Sequence, residues 1–355
     1  MYKHGISYVT GNIAPFRIDL LDDIATKTKS VNLFYYNEID EHVNPEYVKR
    51  RPKNIKYKNI SNLSLINQMK EICKNDIVIF DGYSGRDKIK LILMMILNNK
   101  DYLISVDGII YKNKENKIKK LIKHILIANA KFVYSTNKIT DDILKSYSKN
   151  INIKRHMFTT LDANDMSFIK NIDNYEVRKR LGIPIEKKVV LFVGKFIKTK
   201  GIYELLETVD NKYHYVIVGG NREQLELKLS NFPSNVQLIE FLEKREILEL
   251  MSASDVFVLP TYTDVWGLVV VEAISCGIPV ITTNMCNAGL ELLNNGTNGF
   301  IINKESTYEL KNAINAAMLL DRDKVREYDM NLMKDYNINK AADNMLLSIN
   351  EMLGE

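Results

Sequence analysis

Two carboxylates, Asp264 and Glu272, lie around the start of a predicted helix. Apolar runs at 255–260 and 279–283 flank them, so the order is strand, loop, helix, strand. Such a loop lies at the carboxyl edge of a parallel sheet, where open α/β folds bind ligands. A helix that begins near Gly267 can hold a phosphate on its free N–H groups, and glycine allows a close approach. Two carboxylates beside a diphosphate would suit the hydroxyl groups of a sugar nucleotide.

In isolation, this spacing is better explained by an N-capping aspartate and a solvated glutamate. A ligand-binding site is favoured only if a second cluster of functional residues lies nearby. Lys195 and Lys200 follow a predicted strand and lie between Gly194 and Gly201. Both ammonium groups are therefore expected on a strand-to-helix loop at a sheet edge. There they could neutralise a diphosphate and stabilise it as it becomes a leaving group. Either lysine alone would be interpreted as a solvated surface residue.

The elements that must position these residues are visible as short apolar runs alternating with helical patterns. The strands expected in the first half are 5–10, 30–36, 77–80, 102–106, 132–135 and 153–158, and the helices are 16–26, 63–73, 86–98, 114–130 and 138–147. A polar stretch at 162–175 then precedes a helix near 177–181. The strands expected in the second half are 189–193, 215–218, 236–239, 256–259, 280–283 and 299–302. Helices are expected to begin near residues 201, 221, 244, 267, 288 and 307, and at 323–334 and 339–352.

Charge is divided unevenly along the 355 residues. Residues 1–165 contain 28 Lys and Arg against 18 Asp and Glu, whereas residues 166–355 contain 21 against 26. This asymmetry indicates two domains with different partners, of which the basic one should attract an anionic surface or substrate.

Composition and sequence motifs argue against several other classes of protein. The longest apolar run, 91–97, is far short of the roughly 20 residues of a membrane helix. The first residues lack the apolar region of a signal peptide, so we expect a cytosolic protein. Cys73, Cys276 and Cys286 have no metal-ligand spacing and are expected to be reduced thiols. No recognisable nucleic-acid-binding module and no G-x-G-x-x-G fingerprint is present.

The two motifs together resemble those of the retaining glycosyltransferases of family 4. That family carries a G-R-x4-K-G loop, present here as Gly194-Lys195-x4-Lys200-Gly201, and a Glu-x7-Glu motif, present here as Asp264-x7-Glu272. The similarity extends over about residues 189–302. Two positions depart from the family pattern: Lys195 replaces an arginine, which loses bidentate phosphate geometry, and Asp264 replaces a longer glutamate.

The resemblance implies an α/β protein of the GT-B fold, with two Rossmann-like, doubly wound domains facing across a cleft. We expect an acceptor-binding domain at 1–165 and a nucleotide-sugar-binding domain at 166–335. The final segment, 336–355, is expected to be a helix that returns to the N-terminal domain.

The resemblance also implies roles for individual residues on the donor side. Glu272 would bind the ribose hydroxyls and Asp264 the donor sugar, while Lys195 and Lys200 would bind the diphosphate. The remaining donor residues implied in this way are Gly194, the N–H groups of Gly267, Leu268 and Val269, and the base-flanking turn Glu240, Phe241 and Leu242. Gly11 and Asn12 follow the first strand and are donor candidates, although a tight turn with a capping asparagine explains them as well.

On the acceptor side, Asp107 stands where many family members have a histidine. It could orient or deprotonate the acceptor hydroxyl, or support positive charge on the sugar ring; the alternative is a loop aspartate before a turn glycine. Asp107, Lys195, Lys200 and Asp264 are therefore the predicted catalytic residues. Arg17, Asp81, Tyr83 and Arg86 are expected to line the acceptor side.

The segment Lys112–Lys123 is rich in lysine and continues into an apolar stripe. Its apolar members, Ile118, Leu121, Ile122, Ile125 and Leu126, share one helical face. A core-facing helix is the ordinary explanation. The lysines nevertheless allow docking on an anionic bilayer, at about 1 kcal/mol for each nearby basic side chain.

The predicted function is the transfer of a sugar, with retention, from a UDP-sugar or GDP-sugar to a glycan or lipid-linked acceptor in bacterial surface polysaccharide synthesis. The resemblance implies a mechanism in which the departing diphosphate itself helps to take the acceptor proton, so no cofactor or metal is expected. A peripheral position on the inner face of the cell membrane is compatible with this function. The alternatives are a sugar-nucleotide epimerase of similar build and a catalytically silent sugar-nucleotide-binding partner protein.

Overall fold

A computed structural model describes residues 2–37, 52–110, 115–221, 223, 225 and 233–354 of the chain. The chain divides into two compact units. The first comprises Met1–Thr160 together with Ile338–Glu355, and the second comprises Leu161–Asn337. The sequence had placed these boundaries at 165 and 335.

The first unit contains a parallel sheet that is seven-stranded within the described part of the chain. Its strands are β1 (Tyr2–Asn12), β2 (Thr28–Asn37), β3 (Lys56–Asn59), β4 (Ile77–Asp81), β5 (Leu103–Val106), β6 (Val133–Ser135) and β7 (Ile153–Arg155). They are ordered β3-β2-β1-β4-β5-β6-β7, and every neighbouring pair is parallel. The order reverses between β1 and β4, and ligands bind at such a switch point beside the carboxyl ends of the strands.

Helices cover both faces of this sheet, as a parallel sheet requires. They are α1 (Pro15–Lys27), α2 (Leu65–Ile72), α3 (Arg86–Leu97), α4 (Lys117–Ala128) and α5 (Lys138–Tyr147). Two clusters of buried apolar side chains fill the space between helices and strands, one on each side.

The second unit repeats the architecture with a six-stranded parallel sheet in the residues described. Its strands are β8 (Lys188–Val193), β9 (Tyr213–Val218), β10 (Val236–Ile239), β11 (Val256–Leu259), β12 (Val280–Thr283) and β13 (Gly299–Ile302). The order is β10-β9-β8-β11-β12-β13, so the switch point lies between β8 and β11. Its helices are α6 (Ala163–Lys170), α7 (Asn174–Arg180), α8 (Ile202–Glu207), α9 (Lys244–Ala253), α10 (Leu268–Ser275), α11 (Asn287–Leu292), α12 (Thr307–Ala317) and α13 (Arg322–Met333), and a short 3-10 turn spans Lys198–Lys200.

The last helix, α14 (Ile338–Leu353), packs against α1 of the first unit. Its buried side chains include Leu346 and Ile349, which join the same core cluster as Leu21. At the rim, the Lys27 ammonium lies 2.8 Å from a carboxylate oxygen of Asp343. The end of the chain therefore completes the core of the first unit, as the sequence predicted.

The sequence assigns no element to the polar stretch at 162–175, but this stretch contains α6 and the start of α7. A capping box stabilises α6: Asp162 and Asp165 each accept a hydrogen bond from the other's backbone N–H. The strand β3 was also not predicted, since Lys56–Asn59 lacks an apolar run. The helix expected to begin near residue 221 lies largely outside the described residues. No helix of the described ranges is both long and apolar enough to cross a membrane.

The expected core-facing stripe of α4 is wrong for its first two turns. Ile118 and Leu121 are 67% and 59% exposed, whereas Leu126 and Ile127 are buried. The core contact is made by the half-buried Ile122 and by the C-terminal turns. Residues 111–114, and with them Lys112, lie outside the described residues.

Candidate functional site

The loop after β8 is held against the loop after β11 by backbone contacts. Gly201 has φ +73°, and a Cβ atom there would lie 1.9 Å from the carbonyl oxygen of Pro260. The carbonyl of Thr199 accepts from the backbone N–H of Tyr262 and from the hydroxyl of Thr261, both at 2.8 Å. Glycine is therefore required at 201 by a close approach, and the two loops form one rigid edge beside the switch point.

Two of the residues predicted to be catalytic meet at this edge. The Lys200 Nζ lies 2.6 Å from Oδ2 of Asp264. Their side chains are 28% and 14% exposed, so the ion pair is partly shielded from water. Lys195, on the same loop, is exposed. The structure thus brings a cation and a carboxylate together at the carboxyl edge of the sheet, where open α/β folds bind ligands.

The helix α10 begins beside this pair. Gly267 precedes it with φ +99°, and a Cβ atom there would lie 2.6 Å from Sγ of the buried Cys286. The N–H groups of Leu268 and Val269 belong to the first turn and have no acceptor within the helix. They can bind an anion, and the helix dipole favours negative charge there.

The other predicted donor residues lie on neighbouring segments of the second unit. Glu272 is half-buried in the second turn of α10. Glu240 and Phe241 follow β10 and are exposed, while Leu242 is buried. Gly194 directly follows β8, and its N–H donates to the carbonyl of Val218 at 2.9 Å. All of them except Glu272 therefore follow the carboxyl ends of strands, and their functional roles stay predictions.

The first unit has its own polar cluster at its switch point, centred on Arg17. The Nη2 of Arg17 donates to Oδ1 of Asp81 at 3.0 Å and to both carboxylate oxygens of Asp107 at 2.7 Å. The hydroxyl of Thr10, near the end of β1, donates to the other oxygen of Asp81 at 2.7 Å. Residues from β1, α1, β4 and the end of β5 are thus joined in one network.

Burial and charge act in opposite directions in this network. Burial raises the pKa of Asp107, and the guanidinium of Arg17 opposes that rise. For Arg17, burial lowers the pKa, but Asp107 and Asp81 outweigh it and raise the pKa overall. The guanidinium is therefore a fixed positive charge, but burial outweighs its effect on Asp107, so the pKa of Asp107 is raised overall.

Arg17 cannot contact an acceptor directly, because it is 2% exposed. Its guanidinium carbon lies 5.2 Å from the ring centre of Tyr8 and 5.4 Å from that of Phe16. Asp81 and Asp107, in contrast, are 24% and 23% exposed. The arginine therefore positions the two carboxylates from the buried side, and only the carboxylate residues of this network are partly accessible.

The remaining predicted residues of the first unit differ in accessibility. Gly11 and Asn12 belong to β1 and not to a tight turn, since Asn12 still pairs with Asn37 of β2. Arg86 is exposed at the start of α3. Tyr83 is buried, with its ring 6.5 Å from that of Tyr147, so it supports the loop from within.

Sequence reasoning missed Lys88 and Thr136, which hold the two carboxylate residues by their backbones. Lys88 is buried and its Nζ donates to the carbonyl of Asp81, and burial lowers its pKa. The hydroxyl of Thr136 donates to the carbonyl of Asp107 at 2.9 Å. A lysine two residues after Arg86 on a helical surface carries no sequence signal that distinguishes it from a solvated residue.

Residues 173–332 match the family described as glycosyl transferases group 1. The chain is 32% identical over 148 residues to the O-antigen biosynthesis glycosyltransferase WclY of Escherichia coli, covering 40% of this chain and 39% of that protein. It is 27% identical over 214 residues to the N,N'-diacetylbacillosaminyl-diphospho-undecaprenol alpha-1,3-N-acetylgalactosaminyltransferase of Campylobacter jejuni, covering 59% of this chain and 52% of that protein. Such matches span from 35% to 54% of the length of the first curated relatives.

Similarity to solved structures extends over the whole chain. The structure of HepE from Anabaena in complex with UDP superposes with a TM-score of 0.77 at 15% identity, over 98% of this chain and 100% of that chain. The predicted fold class, α/β with two Rossmann-like parallel sheets, is therefore confirmed. The second unit contains the segment that matches glycosyl transferases group 1.

Proposed function

We propose that this protein is a retaining glycosyltransferase of family 4 that moves a hexosyl group from a nucleotide-diphosphate sugar to a glycan or lipid-linked acceptor. Bacterial capsule, O-antigen or exopolysaccharide synthesis is the expected setting. The observation that carries the proposal is the meeting of Lys200 and Asp264 beside the first turn of α10. A cation and free N–H groups at one sheet edge suit the diphosphate of a sugar nucleotide, and the carboxylate beside them suits the sugar hydroxyls.

The second unit would bind the donor. Lys200, Lys195 and the N–H groups at the start of α10 would stabilise the diphosphate as negative charge develops on it. Glu272 would accept from the ribose hydroxyls, and Asp264 from those of the sugar. The bond between the anomeric carbon and the diphosphate oxygen breaks, and the acceptor oxygen forms the new bond on the same face of the sugar.

The first unit would bind the acceptor. Asp81 and Asp107 present partly exposed carboxylates, and Arg17 keeps both in one orientation. Asp107 would orient the acceptor hydroxyl, whose proton passes to the departing diphosphate. Two lysines supply the positive charge that a metal ion would otherwise provide, so we expect the rate to be unchanged by EDTA.

Transfer assays with UDP-sugars and GDP-sugars test the donor site. Asp264→Ala and Lys200→Ala are expected to reduce kcat/KM at least a hundredfold, because each removes a charge from the site where charge develops. Lys198→Ala is the matched control from the same loop: its ammonium lies 6.0 Å from the ring centre of Tyr262, and it should retain activity. Full activity of either site variant would overturn the assignment.

Product analysis separates the proposed function from its rivals. An epimerase would convert the nucleotide sugar without any acceptor. A silent binding partner would bind the nucleotide sugar and leave it unchanged with every acceptor offered. The glycosyltransferase is supported only by a new glycosidic bond that appears when donor and acceptor are both present.

The exposed start of α4 supports peripheral membrane binding as part of this function. Ile118 and Leu121 are largely exposed, and they alternate with the exposed Lys117, Lys119 and Lys120. Apolar side chains flanked by lysines suit the headgroup region of an anionic bilayer. A lipid-linked acceptor, as in the name of the Campylobacter jejuni relative, would give such binding a purpose.

Flotation with vesicles tests this surface. We expect binding to vesicles rich in phosphatidylglycerol and little binding to phosphatidylcholine alone. The double change Ile118→Ser and Leu121→Ser should reduce binding about tenfold, since two apolar side chains no longer insert. Leu319→Ser is the control, because Leu319 is 87% exposed but belongs to the acidic second unit. Equal binding of both variants would contradict the assignment to α4.

A further inference from the structure

We propose that the Lys200–Asp264 ion pair is a latch. The Lys200 ammonium leaves Asp264 and pairs with the diphosphate of the donor, and the released Asp264 carboxylate then binds the sugar. This inference rests on the proposed function and adds an order of events to it. It also predicts that the site discriminates between the intact donor and the nucleoside diphosphate that remains after transfer.

The two groups that the donor needs are already engaged with one another. Nζ of Lys200 and Oδ2 of Asp264 are 2.6 Å apart, and both side chains are mostly buried. A partly buried pair is screened by salt less than a surface pair. A phosphate that is to use the Lys200 ammonium must therefore displace the Asp264 carboxylate from it.

Backbone contacts hold the two loops together at this site. Thr199 and Gly201, which flank Lys200, are fixed to the Tyr262 and Pro260 backbone by hydrogen bonding and close packing. The exchange has to be a side-chain movement. Lysine suits it, because its ammonium is carried on a flexible four-carbon stem, whereas Asp264 is short and its position is set by its loop.

Asp264 also lies close to the second positive feature of the site. Its Cγ is 3.8 Å from the position that a Cβ atom on Gly267 would occupy, beside the start of α10. The Lys200 ammonium that holds the carboxylate, and the positive end of the helix beside it, are the features a diphosphate would use. Without ligand, the carboxylate therefore repels an incoming diphosphate.

The attached sugar changes this balance. Once Lys200 turns to the phosphate, the Asp264 carboxylate has lost its partner while still partly buried, which is costly. Hydroxyls of the donor sugar that donate to it remove that cost. A bare nucleoside diphosphate lacks this sugar, and its ribose hydroxyls are the ones assigned to Glu272. The latch thus favours binding of the donor and release of the product.

The variant Asp264→Asn tests the latch by an effect of opposite sign on two ligands. It removes the repulsion and frees Lys200, so UDP or GDP, whichever the wild type binds, should bind about fivefold more tightly. The intact nucleotide sugar should bind less tightly, because an amide accepts from sugar hydroxyls less well than a carboxylate. Fluorescence of Trp266, the single tryptophan of the chain, measures both dissociation constants next to the site.

Two controls make the outcome decisive. Glu249→Gln removes one negative charge from the same unit, where Glu249 pairs with Arg180, and should change neither constant. Asp264→Ser repeats the charge removal with a second side chain, in case the asparagine variant does not fold. If both variants of Asp264 bind the diphosphate no more tightly than the wild type, the latch is wrong although the proposed function stands. If the wild type binds neither UDP nor GDP, the proposed function fails instead.

Discussion

At the scale of single residues, the contacts of a side chain or backbone distinguish two residues of the same type that the sequence alone does not distinguish. Gly182 and Gly201 both adopt a positive φ, +66° and +73°. A Cβ atom at 182 would meet nothing within 4 Å, whereas one at 201 would meet the backbone of Pro260. The two glycines therefore share a conformation but only the second is also required for packing.

This difference gives a matched pair of substitutions. Gly182→Ala should cost about 1 kcal/mol of stability from backbone strain alone. Gly201→Ala should cost a further 1–3 kcal/mol, since the loop must move away from Pro260, and it should abolish nucleotide binding. Thermal unfolding followed by Trp266 fluorescence measures both. Equal melting temperatures of the two variants would show that the close approach is not rigid.

At the scale of elements, α13 carries a buried acid whose ionisation opposes folding. Asp329 is fully buried, and its Oδ1 accepts from the side chain of Asn298 at 2.7 Å. Burial raises the pKa of Asp329 to about 8, although the hydrogen bond from Asn298 opposes the rise. The folded state therefore keeps a proton that the unfolded state releases near pH 4.

The sign of the pH dependence follows. The stability contribution is complete below about pH 4 and is lost as pH rises through about 8, with a steepest slope near 1.4 kcal/mol per pH unit. Asp329→Asn cannot ionise and should flatten this dependence between pH 5 and 8. Melting temperatures of both proteins across that range measure it, and parallel curves would contradict the assignment.

Helix α14 is the element whose position depends most on contacts distant in sequence. Leu346 is 1% exposed and lies in the core of the first unit, while its neighbour Leu347 is 55% exposed. Leu346→Ala should destabilise the first unit by about 2–4 kcal/mol, and Leu347→Ala by less than 0.5 kcal/mol. Urea unfolding followed by circular dichroism compares them; a similar loss in both would mean that α14 is not anchored as described.

At the scale of the whole molecule, the two units differ in how the chain builds them. The second unit is one continuous segment, Leu161–Asn337, whereas the first needs Ile338–Glu355 to complete its core. The basic and acidic halves of the sequence coincide closely with these units.

A fragment of residues 161–337 should therefore fold alone and bind the nucleoside diphosphate within about threefold of the intact protein, because all the predicted donor residues except Gly11 and Asn12 are local to it. A fragment of residues 1–160 should be unstable, since it leaves the face of α1 uncovered. Circular dichroism and Trp266 fluorescence test the first fragment, and solubility tests the second. A soluble, cooperative fragment 1–160 would contradict the role given to α14.

The sequence by itself determined the order of strands and helices almost throughout, because periodic apolar residues and capping patterns are local signals. It also determined where Lys200 and Asp264 would lie, since a parallel sheet brings all its carboxyl ends to one edge. Local signals failed at β3 and at 162–175, where polar residues form elements through pairing and capping.

Only the tertiary structure decided which side chains are accessible and what they contact. It placed Arg17 behind Asp81 and Asp107, paired Lys200 with Asp264, and left Ile118 and Leu121 uncovered. The two ion-pair contacts are between residues far apart in the chain. The exposure of Ile118 and Leu121 depends on which neighbours cover the helix. Burial and ion pairing are properties of the packed chain, so residue type and spacing alone do not specify them.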